Sequence, residues 1–315
     1  MRFNKLDLNL LVALDALLAE RSITRAATRL HLSISATSNA LARLREYFGD
    51  ELLVQVGRKM EPTARAEALK DPIRDILVRV DMTVSALPQF DPAASNREFR
   101  LYASDYTQLT VGRYLFALAE AQSSKVRIHF LQQSTTTQLD LERGEADLLI
   151  IPSGLGSKEH PEELLFEDDF CCVVWSGSPL AAKPLTLERY LQCAHVVMQP
   201  AGAKVPSFEA MLAARLGVQR QVAMTTHSFG AMPALVVGTH LIATLHRRLA
   251  LHAVKSMPLL LKPSPLNLPK VQQAMQWHKH RTHDPGLIWL RDLLHRAVQR
   301  MEADTDTDTD TGTDT

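Results

Sequence analysis

The first 48 residues carry three runs of apolar side chains at helical spacing. The first run predicts an amphipathic helix over residues 8–20. The next two, over 22–30 and 33–48, each begin at a serine, a residue type that caps the first turn of a helix. The small side chains of Ala26 and Ala27 allow the second helix to approach its neighbours closely. Two short helices joined by a tight turn predict a helix-turn-helix.

The outer face of the third predicted helix carries short polar side chains and one cation. Such groups suit hydrogen bonds to base edges and phosphates in a major groove of DNA. For any single residue, an ordinary solvated face explains the pattern better. As a set, on the second helix of such a turn, these residues favour DNA binding. The candidate contacts on this face are Ser33, Ser35, Ser38, Asn39 and Arg43.

A basic turn follows the three helices. The segment 52–63 predicts two short strands, a wing, with Arg58 and Lys59 at its tip. Cations there would contact backbone phosphates, which fixes the register on DNA rather than the sequence that is read. A further helix is predicted over 63–87, and Pro72 within it should kink the helix or mark a break.

From residue 97 onwards the periodicity changes, and segments that predict strands alternate with helical segments. The segment 87–92, which contains two prolines, predicts a hinge before this region. Alternation of strands and helices predicts a mainly parallel sheet with crossover helices. The predicted strands are 97–103, 126–131, 146–151, 170–175, 195–198, 218–224, 241–244 and 271–278, and the predicted helices are 107–121, 136–143, 207–216 and 284–301.

The composition excludes several classes of protein. With 46% hydrophobic and 22% charged residues, the chain resembles an ordinary globular protein. Its apolar runs fall far short of the roughly 18 residues that suggest a membrane span, and the N-terminus has no secretion signal. The three cysteines form no C-x-x-C pair, which fits the reducing cytoplasm. We therefore expect a cytoplasmic protein with no membrane partner.

Charge is distributed unevenly along the chain. The whole sequence has 35 basic and 35 acidic residues, but residues 1–65 carry an excess of three positive charges. The segment 304–315 is a Thr-Asp repeat without lysine or arginine. It has no apolar side chain to bury, so it predicts a disordered, solubilising tail.

Several of these motifs resemble those of LysR-type transcriptional regulators. The resemblance covers almost the whole chain and is closest to the group of nodulation regulators and salicylate-responsive regulators of naphthalene degradation. Its N-terminal part rests on Leu6-Asp7-Leu8-Asn9-Leu10-Leu11, Ala26-Ala27-x-x-Leu30, Ser38-Asn39-Ala40-Leu41-x-x-Leu44-Arg45 and Met60-Glu61-Pro62-Thr63. Its C-terminal part rests on Phe90-Asp91-Pro92, Pro184-Leu185-Thr186-Leu187-Glu188-Arg189, Trp277-His278 and Ile288-Trp289-Leu290-Arg291.

The resemblance implies an α/β protein with an N-terminal winged helix-turn-helix and a long linker helix. It also implies an effector domain of two Rossmann-like halves, similar to periplasmic binding proteins. The implied partners are promoter DNA, a small-molecule effector, further copies of the chain as a dimer or tetramer, and RNA polymerase. The implied domains are 1–63 for DNA binding, 64–90 for linker and hinge, 91–303 for effector binding (halves 97–169 with 269–301, and 170–268) and the tail 304–315.

The chain departs from the family pattern at four positions. Ile34 and Ser35 stand where the family often has glutamine and proline, and Gln55 stands where it commonly has arginine. Isoleucine makes no bidentate hydrogen bond to adenine, although it can contact a thymine methyl group. Pro72 is unusual within a dimerising helix. These departures bear on the operator sequence more than on the class of protein.

The family's geometry implies an effector in the cleft between the two halves. Ser104 and Thr135 lie where helices begin, so free backbone N–H groups there suit a carboxylate or phenolate. His195 and His227 align with positions that contact aromatic acids in the salicylate-responsive relatives. A carboxylate at Asp105 would repel an anionic effector, so it selects a neutral or cationic one or points away. The candidate lining is Ser104, Asp105, Tyr106, Ser134, Thr135, Thr136, His195, His227 and Phe229.

Two other functions are weighed against a ligand-responsive regulator. An α/β enzyme with an appended DNA-binding module lacks support, because the sequence has no nucleophile elbow, phosphate-binding loop or zinc-helix motif. An architectural DNA binder would need a stronger basic stripe. A metal site at His278, His280 and His283 is disfavoured against a polar strand end, so neither a metal nor a cofactor is predicted.

Overall fold

The structure is a computed structural model that describes residues 6–57, 59–85, 89–122, 125–200 and 206–310. The chain divides into two compact units, Met1–Ala86 and Leu87–Thr315, and each is described by itself. Arg58, predicted at the tip of the wing, and residues 87 and 88 of the predicted hinge lie outside the described residues.

The first unit is a winged helix-turn-helix. Each of its first three helices begins at a polar residue, Asp7, Ser22 or Ser33, whose side-chain oxygen accepts a hydrogen bond from the backbone three residues on. Leu14 and Leu44 are fully buried at its centre. Its elements are α1 (Leu8–Glu20), α2 (Ile23–Leu30), α3 (Ile34–Phe48), β1 (Leu53–Val56), β2 (Lys59–Pro62) and α4 (Ala64–Ser85).

Helix α4 runs through Pro72 without interruption, so of the two predicted alternatives the break is wrong and the kink stays a prediction. The first half of the helix is held by the rest of the unit, because Ala66 and Ile73 are buried in the same core as α1. The Arg74 guanidinium, also buried, lies 3.3 Å from the Asp15 carboxylate of α1. Packing on both sides of the proline therefore offsets the backbone hydrogen bond that proline removes.

The second unit contains two five-stranded sheets of the same plan. In each sheet four strands run in one direction and one strand is reversed, β12 in the first sheet and β7 in the second. The strand orders are β4-β3-β5-β12-β6 and β11-β7-β10-β8-β9. The strands are β3 (Glu98–Tyr102), β4 (Arg127–Leu131), β5 (Leu148–Pro152), β6 (Glu162–Asp168), β7 (Phe170–Trp175), β8 (Ala194–Met198), β9 (Gln221–Thr226), β10 (Ile242–His246), β11 (Leu259–Pro263) and β12 (Val271–Gln276).

Helices cover the sheets, and one hydrophobic core joins the two halves. Buried side chains of the first half, such as Phe99 and Leu115, belong to the same cluster as Val173 and Leu245 of the second half. The helices are α5 (Asp105–Glu120), α6 (Thr137–Glu142), α7 (Leu187–Gln192), α8 (Phe208–Arg215), α9 (Met232–Val236), α10 (Arg247–Val254) and α11 (Pro285–Asp310).

Helix α11 extends to Asp310, into the Thr-Asp repeat 304–315 that the sequence predicts to be disordered, and residues 311–315 of this repeat lie outside the described residues. The expectation is therefore wrong for residues 304–310. A formed helix propagates at little cost, since each added residue gains one backbone hydrogen bond. Asp304 also anchors the extension, because its carboxylate accepts a 2.8 Å hydrogen bond from the Tyr114 hydroxyl of α5. In the part of the chain that the structure describes, no helix is long and apolar enough to cross a membrane.

Candidate DNA interface and effector site

The two faces of α3 have opposite characters. Thr37, Leu41 and Leu44 are buried against the rest of the first unit. The other face is exposed, as the sequence pattern indicated, and it presents all five candidate contacts: Ser33, Ser35, Ser38, Asn39 and Arg43. Ile34 is 54% exposed at the start of this face. The helix thus offers hydroxyl, amide, guanidinium and apolar groups along one side.

Local hydrogen bonds orient the N-terminal part of this face. The Ser33 hydroxyl caps α3 and lies 3.0 Å from the Ser35 hydroxyl. The Arg43 guanidinium lies 3.4 Å from the Asp7 carboxylate, and both side chains are about half exposed. An exposed ion pair of this kind contributes roughly 0–1 kcal/mol, so it leaves Arg43 able to exchange Asp7 for a phosphate.

A clasp that the sequence analysis missed fixes the start of the wing. The Asp50 carboxylate accepts hydrogen bonds from the Thr63 hydroxyl at 2.6 Å and the Leu52 amide at 2.7 Å, which lower the pKa of Asp50. Leu52 has a φ of 58°, a left-handed conformation that the clasp stabilises. From here β1 and β2 pair as far as Val56 and Lys59, which leaves Lys59 exposed at the wing tip.

In the second unit, the first half presents hydroxyl groups beyond the end of β4. Ser134, Thr135 and Thr136 are all exposed there. The Ser134 hydroxyl lies 3.0 Å from that of Thr136, which lies 3.2 Å from an Asp140 oxygen. Ser104 lies at the end of β3, the neighbouring strand, and its hydroxyl caps α5. These groups share the carboxyl edge of the sheet, where ligands of α/β folds bind.

The second half presents the loop after β9 at the corresponding edge. His227 is exposed in this loop. Phe229 is half-buried, with its ring centroid 4.9 Å from that of His246 and 6.3 Å from that of Tyr106. An imidazole and an aromatic ring two positions apart in one loop are groups that suit a flat ligand that also forms hydrogen bonds.

Asp105 joins these two edges. Its carboxylate, in the first turn of α5, accepts hydrogen bonds from the Ser228 hydroxyl at 2.7 Å and from the amides of Phe229 at 3.1 Å and Gly230 at 2.8 Å. The sequence left two alternatives for Asp105: its carboxylate selects a neutral or cationic effector, or it points away from the effector. The carboxylate is directed at the opposite half of the same domain.

Tyr106 does not line the cleft, which corrects the sequence analysis. Its side chain is fully buried, stacked on the His246 ring at a centroid distance of 3.8 Å. Its hydroxyl donates a 2.6 Å hydrogen bond to the Asp168 carboxylate. Burial raises the pKa of both Tyr106 and Asp168, so the tyrosine remains neutral as a donor. Tyr106 is a core residue where the halves meet.

His195 is also misassigned. It is fully buried in β8, and its Nε2 lies 2.8 Å from the Tyr190 carbonyl oxygen. Its cross-strand neighbour Ile242 packs with Cys172 and Tyr190 in a hydrophobic cluster confined to the second half, which we call the outer core. Val196, the next residue, belongs to the core shared by both halves. Desolvation lowers the pKa of His195 to about 4, which keeps the imidazole neutral. His195 therefore supports the outer core and does not face the cleft.

The rings of His278 and His280, near the end of β12, have their centroids 5.2 Å apart. His278 is buried, and its Nδ1 accepts a hydrogen bond from the His280 amide. Among the residues that the structure describes, no group of three or more His, Cys, Asp or Glu side chains has an arrangement that would hold a metal ion.

An exposed helix-turn-helix face and a two-half α/β domain define a class of DNA-binding proteins that carry a ligand-binding domain. Residues 8–67 match the bacterial regulatory helix-turn-helix of the lysR family, and residues 93–299 match the LysR substrate binding domain. The chain belongs to the LysR family, and it is a DNA-binding transcriptional regulator rather than an enzyme.

Similar proteins cover nearly the whole chain. Nodulation protein D 2 of Bradyrhizobium elkanii is 38% identical over 96% of this chain and 91% of its own length. Nodulation protein D 1 of Rhizobium leguminosarum bv. phaseoli is 38% identical over 96% of both chains. The crystal structure of a probable transcriptional regulator from Pseudomonas aeruginosa has a TM-score of 0.62 at 29% identity, covering 93% of this chain and 97% of that one. Full-length OxyR from the same species, at 16% identity, shares the fold, with a TM-score of 0.66 and coverage of 93% and 95%.

Proposed function

We propose that this regulator responds to a small aromatic molecule bound where the carboxyl edges of the two sheets meet. The observation that carries the proposal is the contact of Asp105 with the loop at Ser228, which brings the two edges together. On one side stand the hydroxyls of residues 134–136, and on the other stand His227 and Phe229. A molecule bound there contacts both halves and so favours one of their relative positions.

The chemistry of these groups supports an aromatic ligand with polar substituents. Phe229 offers a ring face or edge, and the hydroxyls of Thr135 and Thr136 both donate and accept hydrogen bonds. The imidazole of His227 interacts with either a carboxylate or a phenol. The corrected positions of Tyr106 and His195 remove them from this set.

The DNA-reading part of the proposal assigns sequence recognition to α3 and general affinity to the wing. Asn39 suits a bidentate contact with adenine, while Lys59 suits a phosphate. On duplexes selected by this protein from random DNA, Asn39→Ala should cost about 1–3 kcal/mol. Lys59→Ala should instead weaken binding to every sequence alike and reduce the salt dependence. An unchanged sequence preference in Asn39→Ala would contradict this assignment.

We further propose that the chain works as a homodimer or homotetramer, paired through α4. Promoter DNA and RNA polymerase are the partners that a transcriptional regulator meets in the bacterial cytoplasm. A monomeric head has few phosphate contacts, and paired heads multiply them.

The effector is tested with paired histidine variants. A panel of benzoates, phenols and larger aromatic compounds is titrated into the full chain, and thermal shift and DNase footprints on the selected DNA are recorded. His227→Ala should abolish the response of the footprint while leaving the melting temperature and basal DNA binding unchanged. His240→Ala is the matched control, because this exposed histidine precedes β10 and lies at the opposite edge of the same sheet.

The outcomes separate the proposal from a structural role. If His227→Ala lowers the melting temperature without a selective loss of response, His227 stabilises the fold instead. If none of the aromatic compounds shifts either readout of the wild type, the proposed class of effector is wrong. The effect of an effector on DNA affinity must equal the effect of DNA on effector affinity, and typical couplings are about 1–3 kcal/mol.

A further inference from the structure

The first turn of α5 is tied to the second half of its domain by two adjacent residues. Tyr106 stacks on His246 of β10 within the shared core. Asp105, one position earlier, holds the loop after β9 from the partly exposed side. The stacking contact is a buried contact between two rings, whereas the carboxylate contact consists of three hydrogen bonds near solvent. The three hydrogen bonds of Asp105 can therefore break while the buried stack of Tyr106 on His246 is kept.

Asp105 contacts the loop after β9 through several well-placed hydrogen bonds. Both carboxylate oxygens are used: Oδ2 accepts from the Ser228 hydroxyl and the Gly230 amide, and Oδ1 accepts from the Phe229 amide. The Ser228 hydroxyl in turn accepts a hydrogen bond from the Ala231 amide at 3.1 Å, which fixes its orientation. Hydrogen bonds to an ionised carboxylate are roughly twice as strong as neutral ones.

The loop also lies very close to α5. A Cβ atom added to Gly230 would lie 2.7 Å from the Leu109 side chain and 3.5 Å from the Asp105 carboxylate. The backbone of residues 228–230 thus rests directly on the first turns of the helix. A ligand cannot enter at this point unless the two edges separate.

We propose that Asp105 is a latch that holds the two halves in the unliganded arrangement and that effector binding releases it. Asp105 is a positioning residue: it acts by fixing the loop that carries His227 and Phe229. Removing the carboxylate of Asp105 should shift the equilibrium between the relative positions of the two halves in the same direction as an effector does, because the shared core remains as the pivot. The regulatory part of this inference rests on the proposed function, whereas the mechanical part does not.

The mechanical part is tested by spin-label distances in the full chain. Cysteines replace exposed Lys158 of the first half and Glu188 of the second in a Cys193→Ser background, since Cys171 and Cys172 are buried. Labelled protein is diluted with unlabelled protein so that each oligomer holds at most one labelled subunit. The wild type should give one narrow distance distribution, and Asp105→Ala should give a broader one displaced by several ångströms. Circular dichroism checks that each variant is folded.

Two further variants keep the test decisive if Asp105→Ala is poorly folded. Ser228→Ala removes one of the three donors from the other side and should give a smaller displacement in the same direction. Glu162→Ala is the matched control, because its carboxylate also accepts a serine hydroxyl and a loop amide, from Ser153 and Gly154 of its own half. It should leave the distribution unchanged. Unchanged distributions in both Asp105→Ala and Ser228→Ala would overturn the latch.

The regulatory part is tested by footprints on the selected DNA. Asp105→Ala without any added compound should reproduce the footprint that the wild type gives with the benzoate, phenol or larger aromatic compound of the panel that changes its footprint most. A footprint identical to that of the unliganded wild type would overturn the regulatory role. The distance measurement uses neither effector nor DNA, so it stands or fails independently of the His227 titration.

Discussion

At the scale of single residues, Ile34 is the side chain on the DNA-reading face whose chemistry is least expected there. It is a large apolar group left 54% exposed in the first turn of α3, between two serines. The base feature that complements it in the major groove is the thymine methyl group. Sequence reading by this helix therefore combines apolar contact at its start with hydrogen bonding by Ser38 and Asn39.

Replacing thymine by uracil in the selected operator tests this interaction, since uracil lacks only the methyl group. Removal of each methyl group that Ile34 touches should cost about 0.8 kcal/mol, or about fourfold in affinity. Ile34→Ala should bind the thymine and uracil duplexes equally, while Asn39→Ala should retain the difference as the matched control. A uracil effect that persists in Ile34→Ala would show that another group touches the methyl.

Two buried histidines make stability depend on pH. Desolvation lowers the pKa of His195 to about 4 and that of fully buried His246 to about 3. In the unfolded chain both titrate near their ordinary value of about 6.5 and therefore bind protons that the folded protein does not. Between that value and the lowered ones, stability must fall as the pH falls.

The free energy of unfolding should drop by about 2 kcal/mol per histidine between pH 7 and pH 5. Denaturant titrations followed by circular dichroism measure it. His246→Phe, which preserves the stacking on Tyr106, should remove the part of this pH dependence that His246 contributes. Substitution of the exposed His240 by alanine should leave the pH dependence unchanged. An unaltered slope in His246→Phe would mean that this imidazole is protonated in the fold.

The misassignment of His195 shows what a strand sequence leaves undetermined. Residues 194–198 read Ala-His-Val-Val-Met, which is apolar on both faces, because β8 lies between β9 and β10 and is covered on both sides. Such a sequence identifies the strand, but it does not show whether its odd-numbered or its even-numbered residues face the cleft. Asn39 and Ser38 were easier to place, since the apolar stripe of α3 defines the opposite, exposed face.

At the scale of elements, helices α1–α3 are confirmed almost to the residue, and several later elements were missed. Strand β6 escaped notice because acidic residues occupy much of Glu162–Asp168. Helices α9 and α10 are short and were not predicted. Strands β3 and β4 were found because polar and apolar residues alternate in them, and β5 because it is a continuous apolar run. Helices α9 and α10 have buried residues in the shared core, but with five and eight residues they are too short to show a helical period.

Helix α4 yields a prediction of its own, since Pro72 lies in its interior. Proline is about 3 kcal/mol less favourable than alanine within a helix. Pro72→Ala should therefore raise the free energy of unfolding of the first unit by about 1–3 kcal/mol, because the helix is already continuous and no rearrangement is needed. Denaturant titration followed by circular dichroism measures the change, with Glu67→Ala on the same helix as the control. A loss of stability would show that the packing around Ile73 requires a proline-induced bend.

At the scale of the whole molecule, the proposed pairing through α4 predicts the mass in solution. Multi-angle light scattering of the full chain at micromolar concentration should give the mass of a dimer or a tetramer. Ile76→Asp, which puts a charge on an exposed apolar position of α4, should lower that mass. Arg79→Asp on the same helix is the control, since it changes the charge without removing apolar surface. A monomer both with and without DNA would contradict the pairing.

The path of the chain between the two sheets also sets the order in which the domain is completed during synthesis. The strands of the second half, residues 170–263, lie between β6 and β12 in sequence, and β12 inserts between β5 and β6 in the first sheet. The second sheet therefore has all of its strands before the ribosome has made residue 271, whereas the first sheet must wait with unpaired edges. Such long-range pairing is slow and exposes strand edges to aggregation. A nascent or truncated chain that ends before β12 therefore has one sheet with all five strands and one in which β5 and β6 lack the strand that pairs with both of them.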